Sequence, residues 1–412
     1  MHATAVDTAQ ATVLVADRMS ESGLDALRAA RCQVRSQPEL TADSLAEAVK
    51  AYDPDILIVR STKVPADVFT HATRLSLVIR AGAGYDTIDV AAASAKGISV
   101  ANCPGMNAVA VAELTWGLIL ACDRNIPAQH IDLKAGTWAK KTWSAAEGLC
   151  GRTLGIIGTG RIGQEVAARG AAFGMKVVGW SRSLTQAKAD AMGIGYCSSL
   201  QNLLKMSDVI SLHVAATPDT RELVDTAFCD ALRPGAILVN TTRGSVMDEA
   251  AVAAAVEDKG IKVGLDVYAN EPSAGDTSFS NALINLPGVY GTHHVGASTT
   301  QAQDAVAAEA IRIVNAWITS GDAPNTVNLA ASTTAACLLS VRHLNVPGVL
   351  AHVFTALRSS GLNIQEMENV IFQGGDAACA RIQVDHSIAD HVLATLREHE
   401  SVLSIATSPL PS

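Results

Sequence analysis

The stretch that most constrains this chain is Gly155-Ile156-Ile157-Gly158-Thr159-Gly160-Arg161-Ile162-Gly163. An apolar run, Thr153 to Ile157, feeds it. A helix-like stretch, Gln164 to Phe173, leaves it, and a second apolar run, Lys176 to Trp180, closes the unit. Strand, glycine turn, helix, strand is the order that sets a dinucleotide pyrophosphate on a helix N-terminus. The three spaced glycines differ in what they do. Gly158 permits the tight turn, Gly160 clears space for phosphates, and Gly163 lets helix close on strand. Glycines also collect in ordinary turns, so the flanking order is what gives the spacing its meaning.

The end of the second run carries the next signal. An NAD-preferring site holds the ribose 2′-hydroxyl with an acidic residue there. This chain reads Trp180-Ser181-Arg182-Ser183, with Ser181 at the acidic position. A guanidinium flanked by hydroxyls suits a 2′-phosphate, so NADP is expected to serve at least as well as NAD. The bland alternative is that Arg182 lies on the adenine or points into water.

A chain of 412 residues suggests two or three domains, and 49% hydrophobic content supplies several cores. The net charge of −9 comes without a basic cluster, which argues against a nucleic-acid partner. The 8 cysteines are scattered with no CxxC pair, which predicts reduced thiols in a cytoplasmic setting and neither a disulfide frame nor a metal site. Met1 to Gln10 is polar and small, with no secretory signature. The most apolar run, Ala108 to Cys122, is short and interrupted by Glu113, so it reads as a buried helix and no membrane span is expected.

Short apolar strands before loops recur at Thr12–Ala16, Ile56–Val59, Leu77–Ala81, Gly97–Ala101, Val209–His213, Ala236–Asn240, Val263–Val267 and Val289–Thr292. They alternate with helical stretches, the pattern of parallel sheets. The fold class expected is α/β: two doubly wound parallel-sheet domains and a small C-terminal βαββαβ domain. The first domain would span 11–105 and be completed by 294–325, the helix Thr300–Ser320 returning to it. The dinucleotide-binding Rossmann domain would span 106–293. After a linker at Asp322–Thr334, the third unit would span 336–410, with strand, helix, strand, strand, helix and strand in the split βαβ order. Ser387 and Asp390 read as a variant start box for its last helix.

Three strand-end loops carry groups suited to chemistry: Asn240-Thr241-Thr242-Arg243-Gly244, Asp266-Val267-Tyr268-Ala269-Asn270-Glu271-Pro272 and Thr292-His293-His294-Val295-Gly296. Ligands of open α/β sheets gather at the carboxyl ends of strands. Moving a hydride to or from a 2-oxo acid needs a cation for the carboxylate, a proton carrier near neutral pH and a group that tunes it. Arg243, His294 and Glu271 match those needs. Alone, each reads as a surface charge or a packed histidine. Asp266 is a candidate for the nicotinamide amide, or else a turn cap.

With these loops, Val59-Arg60-Ser61-Thr62-Lys63-Val64, Arg80-Ala81-Gly82-Ala83-Gly84-Tyr85-Asp86, Asn102-Cys103-Pro104 and Ala112-Glu113-Leu114-Thr115 complete a set that resembles the D-isomer-specific 2-hydroxyacid dehydrogenase family from about Thr12 to Pro409. The resemblance is greatest to members acting on 3-phospho-D-glycerate. It implies Arg243, Glu271 and His294 as catalytic. It implies Gly158, Gly160, Arg161, Ile162, Gly163, Ser181, Arg182, His213, Thr241, Thr242, Asp266 and Gly296 as contacts of NAD or NADP. Gly82 and Ala83 would offer backbone N–H groups to a substrate carboxylate, and Arg60, Ser61 and Arg80 would meet a substrate phosphate. The partner implied is a small anionic 2-hydroxy or 2-oxo acid, and the assembly a homodimer or homotetramer. The third unit resembles an ACT regulatory domain, implying an amino-acid effector held by His343, Asn345 and Asn363 across a dimer. Three departures stand out: the 60–63 loop is one residue short, Ser181 lacks the acid, and His293 stands where proline is common. They leave open an NADPH-dependent reductase of glyoxylate or hydroxypyruvate. A nucleotide-sensing corepressor of the same family is a further alternative.

Overall fold

The computed structural model describes residues 10–272, 277–330 and 333–410. Nine residues at the start, where a polar, leaderless segment is expected, and part of the 322–334 linker lie outside the described residues. The chain forms two compact units, Met1–Asn328 and Leu329–Ser412.

The first unit contains two parallel sheets. Strands β1 (Thr12–Val15), β2 (Gln33–Ser36), β3 (Ile56–Val59), β4 (Leu77–Arg80) and β5 (Ser99–Asn102) order as β2-β1-β3-β4-β5. Strands β6 (Thr153–Ile157), β7 (Lys176–Trp180), β8 (Gly195–Tyr196), β9 (Val209–Leu212), β10 (Ile237–Asn240), β11 (Lys262–Leu265) and β12 (Val289–Gly291) order as β12-β11-β10-β9-β6-β7-β8. Most of these strands are buried along their length because helices cover both faces. Each sheet is built outward in two directions from an inner pair, so each has a switch point: between β1 and β3 in one, between β6 and β9 in the other.

The helix Ala108–Arg124 is buried on the seven-stranded sheet through Ala112, Trp116, Ile119 and Cys122, which explains its apolar run without a membrane. No helix among the described residues is long and apolar enough to cross one. The helix Thr300–Ser320 matches its expected bounds, capped by the Thr299 hydroxyl accepting from Ala302 N, and buries Ala310, Ile313 and Val314 among Val13, Ile56 and Leu77. The helix after the glycine turn begins earlier than expected, at Arg161. Gly160 is its N-cap and the Gln164 N–H already bonds the Gly160 carbonyl, so Arg161, Ile162 and Gly163 lie in its first turn.

The second unit has the order strand, helix, strand, strand, helix, strand. Its antiparallel sheet runs β14 (Ile364–Ile371), β15 (Ala377–Val384), β13 (Cys337–Leu344), β16 (Val402–Pro409). Helices Val349–Ser359 and Asp390–Arg397 bury Val353, Leu357, Val392 and Leu396 on alternate residues of β13 and β15. The Ser387–Asp390 start box does not form. Ala389 precedes the last helix and no side chain caps it.

Candidate functional site

The glycine turn shows three different reasons for glycine. Gly158 has φ +96°, and a Cβ there would lie 2.4 Å from the His213 carbonyl oxygen. A Cβ on Gly163 would lie 2.1 Å from the Gly158 carbonyl oxygen, so helix and turn touch through it. Among the described residues, a Cβ on Gly160 would meet nothing within 4 Å. Protein packing therefore does not require glycine at 160. The open space lies at the N-terminus of a 12-residue helix, where amide groups point outward, and it suits a dinucleotide pyrophosphate. The carbonyl of His213 closes the other side, so the crevice sits at the switch point between β6 and β9.

Around this crevice, Ser181 exchanges a 3.1 Å hydrogen bond with the Thr159 hydroxyl. Arg182 is not free: its Nη1 donates to Asp219 Oδ2 at 2.5 Å, and both side chains are about two-thirds exposed, at 67% and 70%. Arg161 reaches across to the Pro104 carbonyl at 2.8 Å, and Ile162 packs on the core beneath. His213 shares a 2.8 Å bond with Ser211 Oγ through Nε2, while its buried Nδ1 has no partner among the described residues. Burial pushes its imidazole down to about 3, so it stays neutral.

The three catalytic candidates meet at the carboxyl ends of β10, β11 and β12. Asn240, fully buried at the end of β10, organises the first loop. Its Oδ1 accepts from Thr242 N and Oγ1, and its Nδ2 donates to the Arg243 carbonyl. Thr241 is joined by a 3.1 Å hydroxyl contact to Thr115. Arg243 then extends to the first sheet's loop and binds Asp86 through Nε and Nη2 at 3.2 and 3.0 Å. Burial raises the Asp86 carboxyl, but the Arg243 guanidinium outweighs it and holds the group below the usual carboxylate range.

His294 Nδ1 and Glu271 Oε2 are 2.7 Å apart, and Glu271 Oε1 accepts from Tyr268 N at 3.1 Å. Burial pushes the Glu271 carboxyl up. Hydrogen bonds from His294 and Tyr268 and the charge of Arg243 outweigh that and keep it ionised. The charge of Arg243 is thus felt at Glu271, which unites the three groups. His294 has φ +53°, a left-handed conformation that costs a residue with a Cβ about 1 kcal/mol. Asp266 holds it there. This carboxylate is 1% exposed and accepts from Val295 N, Gly296 N and the Thr292 hydroxyl at 2.9, 2.8 and 2.6 Å. Gly296 is needed because a Cβ would crowd Asp266 Oδ2 at 2.9 Å.

On the first sheet, Asp17 Oδ2 accepts from the backbone N–H of Arg60, Ser61 and Thr62 at 2.6, 3.1 and 3.1 Å. The amide of Ser61 therefore faces Asp17. Arg80 is largely buried, lies over Gly82 and leaves its Nε without a partner among the described residues. Burial first, then the charges of Arg243 and Arg60, push its guanidinium down, with Asp86 opposing them. A buried, under-partnered cation beside other cations calls for an anion. Of the two amides expected to face a carboxylate, Gly82 N–H donates to the Arg80 carbonyl at 2.8 Å in a tight i to i+2 turn, which leaves Ala83 N–H. Asn102 Nδ2 fixes the Ala83 carbonyl at 2.6 Å.

In the second unit, His343 is 2% exposed, with Nδ1 on the Leu344 carbonyl and Nε2 on Asn369 Oδ1, so its ring offers no open edge. Asn345 Nδ2 donates to the Gly375 carbonyl. Asn363 lines a cavity of about 390 Å³ with Phe354, Leu357 and Arg358. Asn363 precedes Ile364, which pairs through Val384 with Cys337, whereas His343 pairs with Ala378. Within one chain the effector candidates lie at opposite ends of the sheet.

Asp17, Asp86, Asp219 and Asn240 make contacts that sequence reasoning missed. Asp86 and Asn240 stand in segments that sequence singles out, but no local spacing marks their partners.

Comparison with known proteins gives a consistent family. Residues 116–296 match the model of the D-isomer specific 2-hydroxyacid dehydrogenase NAD binding domain. The chain is 36% identical over 91% of its length to the D-3-phosphoglycerate dehydrogenase of Methanocaldococcus jannaschii, covering 67% of that protein. It spans about two thirds of the length of the curated phosphoglycerate dehydrogenases of Methanocaldococcus and Mycobacterium that it matches. It is 43% identical to the hydroxypyruvate reductase of Thermotoga maritima over 62% of this chain and 82% of that one. An NADPH-dependent glyoxylate/hydroxypyruvate reductase from Sinorhizobium meliloti, solved with NADP and malonate, superposes with a TM-score of 0.65 at 29% identity, over 77% of this chain and 97% of that one.

Proposed function

Because the chain belongs to the D-isomer-specific 2-hydroxyacid dehydrogenase family and is an NAD(P)-dependent oxidoreductase, we propose that it interconverts 3-phospho-D-glycerate and 3-phosphooxypyruvate, a step of serine biosynthesis. The observation that carries this reading is the His294–Glu271 contact within electrostatic reach of Arg243, with Arg60 and Arg80 near enough for the arginine charges to be felt by one another. Such a cationic surround suits a substrate bearing both a carboxylate and a phosphate.

The crevice that Gly160 keeps open fits a dinucleotide. Gly158, Gly160, Arg161, Ile162 and Gly163, with His213 beside the turn, would hold its pyrophosphate, Ser181 and Arg182 its ribose, and Thr241, Thr242, Asp266 and Gly296 its nicotinamide end. When bound, it accepts or supplies the hydride at C2 of the substrate. Arg243 binds the carboxylate and polarises the neighbouring carbonyl, with Asp86 fixing the guanidinium. His294 gives its proton to the carbonyl oxygen in reduction and takes the hydroxyl proton in oxidation. Glu271 favours the charged imidazole and fixes its tautomer. Ala83 N–H steadies the carboxylate, while Arg60, Ser61 and Arg80 receive the phosphate.

A second reading, NADPH-dependent reduction of hydroxypyruvate or glyoxylate, draws support from Ser181-Arg182 and from the Ser61 amide being engaged by Asp17. Turnover of phosphohydroxypyruvate, hydroxypyruvate, glyoxylate and 2-oxoglutarate with NADH and NADPH separates the two. The first requires phosphohydroxypyruvate to have the highest kcat/KM. The second requires the unphosphorylated acids to match or exceed it.

The domain bounds we propose are 11–105 with 294–325, 106–293, and 336–410. A homodimer is supported by the exposed apolar groups Ile126, Ile131, Leu133 and Trp138, the last 80% exposed. An amino-acid effector at the ACT-like unit would need two copies, since His343 and Asn345 stand opposite Asn363, and would have to take the place of Asn369 at the His343 ring. The eight free thiols suit a cytoplasmic setting.

A further inference from the structure

The ribose end of the crevice holds an ion pair that the family resemblance does not account for. Arg182 follows β7. Asp219 lies in the loop beyond β9, 37 residues away, yet its carboxylate sits 2.5 Å from the guanidinium. Neither side chain is needed for the fold: both are about two-thirds exposed, and surface pairs of this kind contribute little to stability. The pair is therefore free to exchange partners.

We propose that Asp219 sets the choice between NAD(H) and NADP(H) by competing with the 2′-phosphate for Arg182. This rests on the dinucleotide reading above. A 2′-phosphate is a dianion or nearly so at neutral pH and pairs more strongly with a guanidinium than a carboxylate does. To be received it must draw Arg182 from Asp219, and breaking that contact takes away part of the attraction the guanidinium offers. With a ribose 2′-hydroxyl, no exchange is needed. The hydroxyls of Ser181 and Thr159, 3.1 Å apart, present neutral groups that accommodate either ribose. Arg182 thus supplies the attraction for NADP(H), and Asp219 sets how much of it is realised.

Equilibrium binding of NADH, NADPH and the fragment 2′,5′-ADP to the full chain tests this, the native protein compared with Asp219→Asn, Arg182→Ala and the double variant. Asp219→Asn should shift the NADH-to-NADPH affinity ratio toward NADPH by about three- to five-fold, and tighten 2′,5′-ADP alike. Arg182→Ala should shift the ratio the other way. In the Arg182→Ala background, Asp219→Asn should lose most of its effect, because the two act through one contact. The Asp219→Asn shift should shrink as salt rises toward about 1 M. An unchanged ratio in Asp219→Asn, or an equal shift with and without Arg182, overturns the proposal while leaving the dinucleotide site intact. Failure of both NADH and NADPH to bind the native chain overturns the dinucleotide reading and this proposal together.

Discussion

The two parallel sheets of the first unit both grow outward in two directions from an inner pair, and their switch points are used differently. Each has a switch point where neighbouring loops part, and such a crevice is where an open α/β sheet takes a ligand. In the seven-stranded sheet it is kept open, with nothing within 4 Å of where a Gly160 Cβ would lie. In the five-stranded sheet it is filled from within, by Asp17 gathering three amides of the 60–62 loop. The same kind of switch point thus yields a receptor in one sheet and a braced loop in the other. Gly160 marks the open site and Asp17 the filled one. The braced sheet then serves as a platform for Arg60, Arg80 and Asp86, and the open one carries the hydride chemistry.

Removing the proton carrier breaks this division most severely. His294→Ala should lower kcat by about two to four orders of magnitude while NADH affinity is kept. If turnover survives, the open sheet does not hold the proton chemistry. Filling the open crevice comes next. Gly160 has φ −71°, within reach of any residue, so Gly160→Val should leave thermal unfolding unchanged and weaken NADH binding by at least about tenfold. An unaltered Kd would place the dinucleotide elsewhere. The matched change on the other sheet has the opposite character. Asp17→Ala should create no nucleotide affinity and should destabilise the fold by about 1–2 kcal/mol, read by denaturant unfolding. Arg60→Ala should raise KM for phosphorylated more than for unphosphorylated 2-oxo acids, and equal losses would remove Arg60 from the phosphate site.

The smallest effect is on pH. The Glu271 carboxyl is depressed in the folded chain. Its contact with His294 therefore favours folding above the ordinary carboxylate range, and that contribution fades as pH falls through the depressed value. Glu271 is partly exposed, so the contribution is under about 1 kcal/mol. Melting curves of native and Glu271→Gln should differ near neutral pH and converge in acid.

What was legible in the sequence was what strands and turns impose locally. The glycine turn, the strand-end loops and the βαββαβ order are set by residues close together in the chain, and the structure reproduces them with shifts of a few residues. Gly160's cap position started its helix three residues early, and Ala389 replaced the expected Ser387 box because the helix begins only at Asp390. The bracing carboxylates were not legible. Asp17 reaches a loop 43 to 45 residues away, Asp219 an arginine 37 away and Asp86 an arginine 157 away, and no period or spacing encodes such pairings. Nor does any local spacing show that the Gly82 amide bonds back to Arg80 within its own turn or that the His343 ring turns inward toward Asn369.

If the cluster of Arg243, Glu271 and His294 directs a hydride between a nicotinamide and C2 of a 2-oxo acid, an isotope must follow that path. The most direct measurement is single-turnover reaction of phosphohydroxypyruvate with reduced cofactor carrying deuterium at the transferred position. Deuterium is expected at C2 of a D-configured product, with transfer slowed by orders of magnitude in His294→Ala. Label at no carbon of the product, an L-configured product, or equal transfer rates in the two proteins would contradict it.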